Sequence, residues 1–251
     1  MNKVLIPLLA LSLSGCVNTE APHTLEFREA LLGESRGAPF AGSFEISIPS
    51  VQDWANSPIH SARLRGHVAL LSETNVGFAL MSGAPMIEVA TRQQGCQVEG
   101  EIHLMSSLDG IDNEFVGYFF ESVGRCGRPF RFVGAKHVHP SETRVRDVVN
   151  YATVLRGRFY YEDDGLEVSD LPRLLGDRAL LAEHLRTALE TPDTRLTFHW
   201  LLPNITMPFI ESFRVDGRPV TDPSLRRGLA MTRFLKVWFG PIADQFAESW
   251  L

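Results

Sequence analysis

"CQVEGEIHLMSSLDGIDNEFVGYFFESVGRC", residues 96–126, decides how the rest of the chain is read. Two strand-like runs flank "LDGIDN", whose Asp-Gly and Asp-Asn pairs favour a turn. Pairing Ser107 with Phe115 and Ser106 with Val116 sets Cys96 opposite Cys126, so the turn predicts a disulfide. The same register aligns Val98, Ile102 and Leu104 with Gly124, Phe120 and Tyr118 on an apolar face. The other face carries Gln97, Glu99, Glu101 and His103. Closing such a loop of about 30 residues contributes on the order of 3.6 kcal/mol by the chain-entropy argument. No Cys-x-x-Cys arrangement is present, so the pair reads as a structural staple and not a redox centre.

Outward from this hairpin the first half reads as β structure. "SFEISI" (43–48), "ARLRGHVALLS" (62–72), "GFALMS" (77–82), "MIEVATR" (86–92), "PFRFVGAKHV" (129–138) and "YATVLRGRFYYE" (151–162) are short runs separated by Gly, Pro, Asn and Asp. Their spacing predicts an antiparallel sheet, barrel or sandwich. "LEFREALL" (25–32) reads as helical, with Gly33 as its stop. Beyond residue 165 the pattern changes. "DLPRLLGDRALLAEHLRTALE" (170–190) has Leu174, Leu181, Leu185 and Ala188 at helical spacing. "RLTFHWLL" and "FRVDGRPV" read as a hairpin, the second run carrying an Asp216-Gly217 turn. "PSLRRGLAMTRFLKVWFG" (223–240) is a helix pattern with Met231, Phe234, Leu235 and Trp238 on one side, and Ile242, Phe246 and Trp250 continue it. The fold class is α+β: an antiparallel β-rich N-terminal half followed by C-terminal amphipathic helices. Residues 25–251 form one domain, with a division into two lobes near 140 as the alternative.

The N-terminus carries an address. Lys3 precedes an uncharged, mostly apolar run, Val4 to Leu13, of signal-peptide length and too short to span a bilayer. Leu13-Ser14-Gly15-Cys16 resembles the lipobox of bacterial lipoproteins. The resemblance implies a signal peptide over 1–15 and a diacylglycerol, with palmitate-type chains, on Cys16. It also implies a mature protein of 236 residues held on a membrane of the cell envelope. Residue 17 is Val, where Asp in that class marks inner-membrane retention, so the expected location is the outer membrane, facing the periplasm. Two or three acyl chains hold far more firmly than one. Residues 16–24 form the tether; "VNTEAPHT" (17–24) reaches roughly 26 Å when extended.

Composition narrows the function classes. The chain is 44% hydrophobic and 22% charged, enough for a core. Its net charge of −6 becomes −7 when Lys3 is removed, which argues against nucleic acid as a partner and leaves the lipid as the link to the membrane. No cofactor motif is present, and no cofactor is assigned. The tail is also similar to the end of chalcone-isomerase-like proteins, through "VDGRPV" (215–220) and "VWFG" (237–240). That similarity implies a pocket for an apolar ligand and carries over no active-site residue.

Candidate chemistry is sparse. "GESRG" (33–37) matches the Gly-x-Ser-x-Gly elbow of hydrolases, but a helix pattern precedes Ser35 and an extended one follows, the reverse of what the elbow needs. "KHVHP" sets His137 and His139 on one face of a strand, and His103 is the nearest third ligand, two strands away. Solvated histidines explain this set more simply, and no metal is assigned. "YYEDDG" (160–165) gathers three carboxylates without EF-hand spacing and reads as a turn. His199-Trp200 and the series Phe234, Trp238, Phe246, Trp250 line a ligand pocket or a docking surface, or, as apolar residues at helical spacing usually do, a core. The expectation is a non-enzymatic, outer-membrane-anchored module that binds an envelope protein or an apolar ligand. The alternative is an envelope hydrolase using His103, His137, His139 or His199 with a nearby carboxylate.

Overall fold

The computed structural model describes residues 23–57, 60–108, 111–124, 126–137, 154–161, 171–199 and 203–219. Eight antiparallel strands run in chain order: β1 (Leu25–Ser35), β2 (Ala38–Ile48), β3 (His60–Leu70), β4 (Cys96–Leu108), β5 (Ile111–Ser122), β6 (Phe130–His137), β7 (Val154–Tyr161) and β8 (Thr194–Thr197). Each pairs with the next, and β8 returns to β1, which closes a barrel. A short ribbon, β9 (Arg214–Val215) and β10 (Arg218–Pro219), extends β1 at its first residues. The helices are α1 (Val51–Asn56), α2 (Glu73–Ser82), α3 (Ala84–Gln94), α4 (Leu171–Gly176), α5 (Arg178–Glu190) and α6 (Pro203–Ser212). Of the three arrangements expected for the β structure, the barrel is the one that forms. Strands from both sides of residue 140 share its wall.

Residues on alternate positions point inward, because side chains in a strand have a period of two. The interior is aromatic: Phe27, Phe44, Tyr118, Phe120, Phe132 and Phe159 are all buried. Phe120 and Phe132 stack with centroids 4.7 Å apart, and Phe132 meets Phe159 at 4.9 Å. Small residues make room for these rings; a Cβ on Gly157 would lie 2.4 Å from the Phe132 ring. Burying each phenyl stabilises the fold by about 1.5–3 kcal/mol. Outside, charged side chains of both signs form a row around the wall. Arg28, Glu45, Arg65, Glu99, Glu121 and Arg131 occupy successive cross-strand positions on β1 to β6. Arg65 pairs with Glu99 at 3.5 Å and Arg131 with Glu121 at 3.2 Å. An apolar interior within a charged wall is the reverse of a barrel whose outer surface meets hydrocarbon.

Helices cover two stretches of this wall. α3 lies on β1 to β3, where the Ser43 hydroxyl meets Thr91 Oγ1 at 2.8 Å. α4 and α5 bury Leu174, Leu181 and Leu185 against Phe119, Val133 and Tyr160. β8 pairs with β1 only along Leu32–Ser35, which leaves residues 27–31 of β1 without a strand partner on that side. α6 fills the gap: Ser212 Oγ accepts the Arg28 N–H at 2.9 Å, and Phe213 stacks on Phe27 at 4.9 Å.

Several expectations are corrected. "LEFREALL" is strand β1, not a helix. Leu25, Phe27 and Leu31 face inward while Ala30 and Leu32 are buried on the other side, and double burial produces an apolar run that imitates helical spacing. "GFALMS" and "MIEVATR" belong to helices α2 and α3, not strands. Ser72 caps α2 through the Asn75 N–H, and Ala84, Ile87 and Thr91 bury one face of α3. From "RLTFHWLL", residues 195–197 belong to β8, which pairs with β1 and β7 and, among the described residues, not with β9 or β10. The Asp216-Gly217 turn does form, within β9 and β10. The 170–190 helix is two helices, with Asp177 capping the second. The patterns over 223–251 and "EDDG" (162–165) lie outside the described residues, as do Cys16 and His139.

The Cys96–Cys126 disulfide is present, with Cα atoms 5.2 Å apart. The register around it differs by two residues: Val98 faces Ser122, Ile102 faces Tyr118 and Leu104 faces Val116. The hairpin closes tightly between Leu108 and Ile111, with irregularities at Leu104–Ser106 and Ser106–Leu108. A shift of two keeps Val98, Ile102, Tyr118 and Phe120 on their expected face. Cys126 reaches Cys96 because the strand ends at Ser122 and the chain bends at Gly124.

Candidate functional site

Two features of the described residues go beyond ordinary packing. The first is inside the barrel. Glu29 shares the inward face of β1 with Phe27 and Leu31, and Lys136 shares that of β6 with Phe132. Each belongs to an otherwise apolar row, so the strand period itself carries both charges into the interior. There the Lys136 ammonium donates to Glu29 Oε1, and the Tyr118 hydroxyl donates to Glu29 Oε2 at 2.6 Å. All three side chains are buried. Burial draws the Lys136 ammonium below its ordinary value while Glu29 pulls the other way. Burial, reinforced by the Glu29 carboxylate, pushes the Tyr118 phenol well above its usual range. The chemistry of this set is closed on itself: one carboxylate accepts from both donors. It holds strands β1, β5 and β6 in one register.

The second feature is outside. Five large apolar side chains of the helical layer stand in solvent: Met81 (76% exposed), Phe78 (51%), Met207 (50%), Val89 (42%) and Ile210 (40%). Asn204 Nδ2 donates to the carbonyls of Leu80 and Met81 at 3.0 and 2.9 Å, which fastens the end of α2 to the first turn of α6. Met207 and Ile210 follow Asn204 at intervals of three along α6, on one helix face. Arg28 and Glu88, 3.8 Å apart, tie α3 to β1 beside the far end of α6. The exposed side chains therefore stand on three helices that meet one another: α3 lies on β1 to β3 and touches both α2 and α6, and Asn204 joins α6 to α2.

The predicted site residues are dispersed. His103 is buried on the outer wall, where Nε2 donates to Glu101 Oε2 at 3.1 Å and the ring meets Phe119 edge-on at 5.1 Å. His137 ends β6 opposite Phe115, two strands from His103. Among the described residues no three His, Cys, Asp or Glu side chains gather as a metal would need. Burial lowers the His199 imidazole below its ordinary value, opposed by a backbone hydrogen bond to Leu32. Ser35 is no nucleophile elbow. It ends β1 before the Arg36-Gly37 hairpin turn, and its buried hydroxyl lies 2.8 Å from Thr194 Oγ1. The Glu29–Lys136–Tyr118 set was missed, although Glu29 in the row of Leu25, Phe27 and Leu31, and Lys136 in the row of Phe130 and Phe132, were signals for it.

No family model matches the chain, and neither curated proteins nor solved structures provide a match.

Proposed function

We propose that this protein is an outer-membrane-anchored lipoprotein facing the periplasm, a non-enzymatic module that binds an envelope protein or an apolar partner. The lipobox at residues 13–16 supports the anchor. The observation that carries the binding reading is the exposure of Phe78, Met81, Val89, Met207 and Ile210 on three helices that touch one another, because apolar side chains left in water gain free energy on association. The aromatic interior of the barrel is occupied by its own side chains, which directs attention to the outer surface. A photo-reactive phenylalanine analogue at Met81 is expected to give a discrete adduct in whole cells, while one at Arg65 on the charged wall gives none. Equal, diffuse labelling at both positions would overturn the binding reading.

One arrangement favours the hydrolase alternative. Ser61 lies opposite His103 on β3 and β4, and His103 bonds Glu101. Among the described residues, however, no hydrogen bond joins the Ser61 hydroxyl to the imidazole, as an activated nucleophile requires. A fluorophosphonate probe is expected to leave the protein unlabelled. Labelling that disappears in Ser61→Ala would establish the hydrolase instead.

A further inference from the structure

Of the six large hydrophobic side chains standing in solvent among the described residues, five lie on α2, α3 and α6. We infer that their surface seats on the interface of a phospholipid bilayer, so that the barrel lies against the membrane instead of swinging from its tether. This deepens the binding reading above and rests on the acylation of Cys16.

Hydrogen bonds pin residues 23 and 24 to the turn after β9. His23 Nδ1 lies 2.8 Å from Asp216 Oδ2, the Thr24 N–H donates to Asp216 Oδ1 at 3.0 Å, and the Asp216 N–H donates to the Thr24 carbonyl at 3.0 Å. The Val51 N–H also donates to the His23 carbonyl at 2.9 Å. The exit of the tether is thus pinned to the β9–β10 turn, immediately after α6. From there β1 runs to Arg28, whose N–H is held by Ser212 at the end of α6. That path is roughly 17 Å at the rise of an extended chain, and Ile210 lies within one helical turn of its end. Seven residue steps separate Cys16 from His23, a reach of roughly 23 Å. The tether and the path to the apolar surface are therefore of similar length, and the anchor keeps this surface within reach of the bilayer.

The chemistry of the surface fits the same occupant. Phenylalanine, methionine and isoleucine on adjoining helices present long apolar side chains to the boundary between headgroups and acyl chains. Half-exposed Arg28 lies between the tether exit and Ile210, where a bilayer offers phosphate oxygens. Glu73 and Glu211 are exposed on the same helices, so attraction comes from apolar burial more than from charge.

The test uses the acylated full chain in phosphatidylethanolamine–phosphatidylglycerol vesicles. A nitroxide is attached at Met207→Cys in one sample and at Arg65→Cys in another, with an unchanged circular dichroism spectrum confirming each fold. Relaxation of the nitroxide by oxygen, relative to a water-soluble nickel complex, is expected to be about threefold or more greater at position 207 than at 65, as for a side chain inserted at the interface. Equal, water-like values in an anchored chain would overturn this inference and leave the anchor reading intact. A chain without acyl groups would overturn both. A photo-reactive analogue at Phe78 in cells is expected to yield phospholipid adducts, and a single protein adduct there would replace the bilayer with a protein partner.

Discussion

Glu29 and Lys136 face each other across an aromatic interior in which neither would be tolerated alone. Removing one partner of a buried pair leaves an uncompensated charge, which costs about 3–5 kcal/mol. Lys136→Met is therefore expected to destabilise the fold by that amount in urea titration, monitored by tryptophan fluorescence. Glu29→Gln combined with Lys136→Met keeps an acceptor for the Tyr118 hydroxyl and removes both charges, so it should recover most of the loss. The histidines set a second effect at this scale. Burial lowers His67, with Arg92 nearby acting in the same direction, and burial lowers His199. A group depressed in the folded state binds its proton more readily when unfolded, so stability is full above the unfolded value near 6.5 and declines as pH falls below it. His67→Gln with His199→Gln should reduce the drop in Tm between pH 7.5 and 5.5 relative to the parent protein; an unchanged drop would contradict the assignment.

At the level of elements, α2 and α3 are separated by Gly83 alone. Its φ of 82° lies in the left-handed region, and a Cβ there would fall 2.2 Å from the Asn204 carbonyl oxygen. Gly83→Ala should cost about 2 kcal/mol or more, because strain at the bend adds to displacement of α6. Its signature is a loss of hydrogen-exchange protection concentrated in 203–212. The disulfide ties the start of β4 to the bend after β5 across a separation of 30 residues. Cys96→Ser with Cys126→Ser should lower unfolding free energy by about 3.6 kcal/mol, less any strain released. The strands whose two faces differ were legible, because a period of two survives in β4 and β5. α2 and α3 were not: "GFALMS" and "MIEVATR" are short, apolar and β-compatible, and only the Ser72 cap and the Gly83 bend separate them from strands.

The described residues form a closed barrel whose exposed large apolar side chains stand mostly on an outer helical layer. If the lipobox is processed, growth with labelled palmitate should mark the protein, and Cys16→Ser should abolish the label and release the chain from the membrane fraction. Retention of the label in Cys16→Ser would refute acylation at that thiol. The barrel itself was legible only as antiparallel β structure, since closure depends on four residue pairs between β1 and β8 that lie far apart in the chain.

Local chemistry by itself determined the cysteine pair and the faces of β4 and β5 next to it, because the two thiols flank a single hairpin and a strand's alternation is intrinsic to its backbone. Tertiary structure alone decided the closure of the sheet, the meeting of Glu29 with Lys136 and Tyr118, and the docking of α6 against α2 and α3. These contacts join positions from 89 to more than 120 residues apart, whose proximity is set by strand register and helix docking.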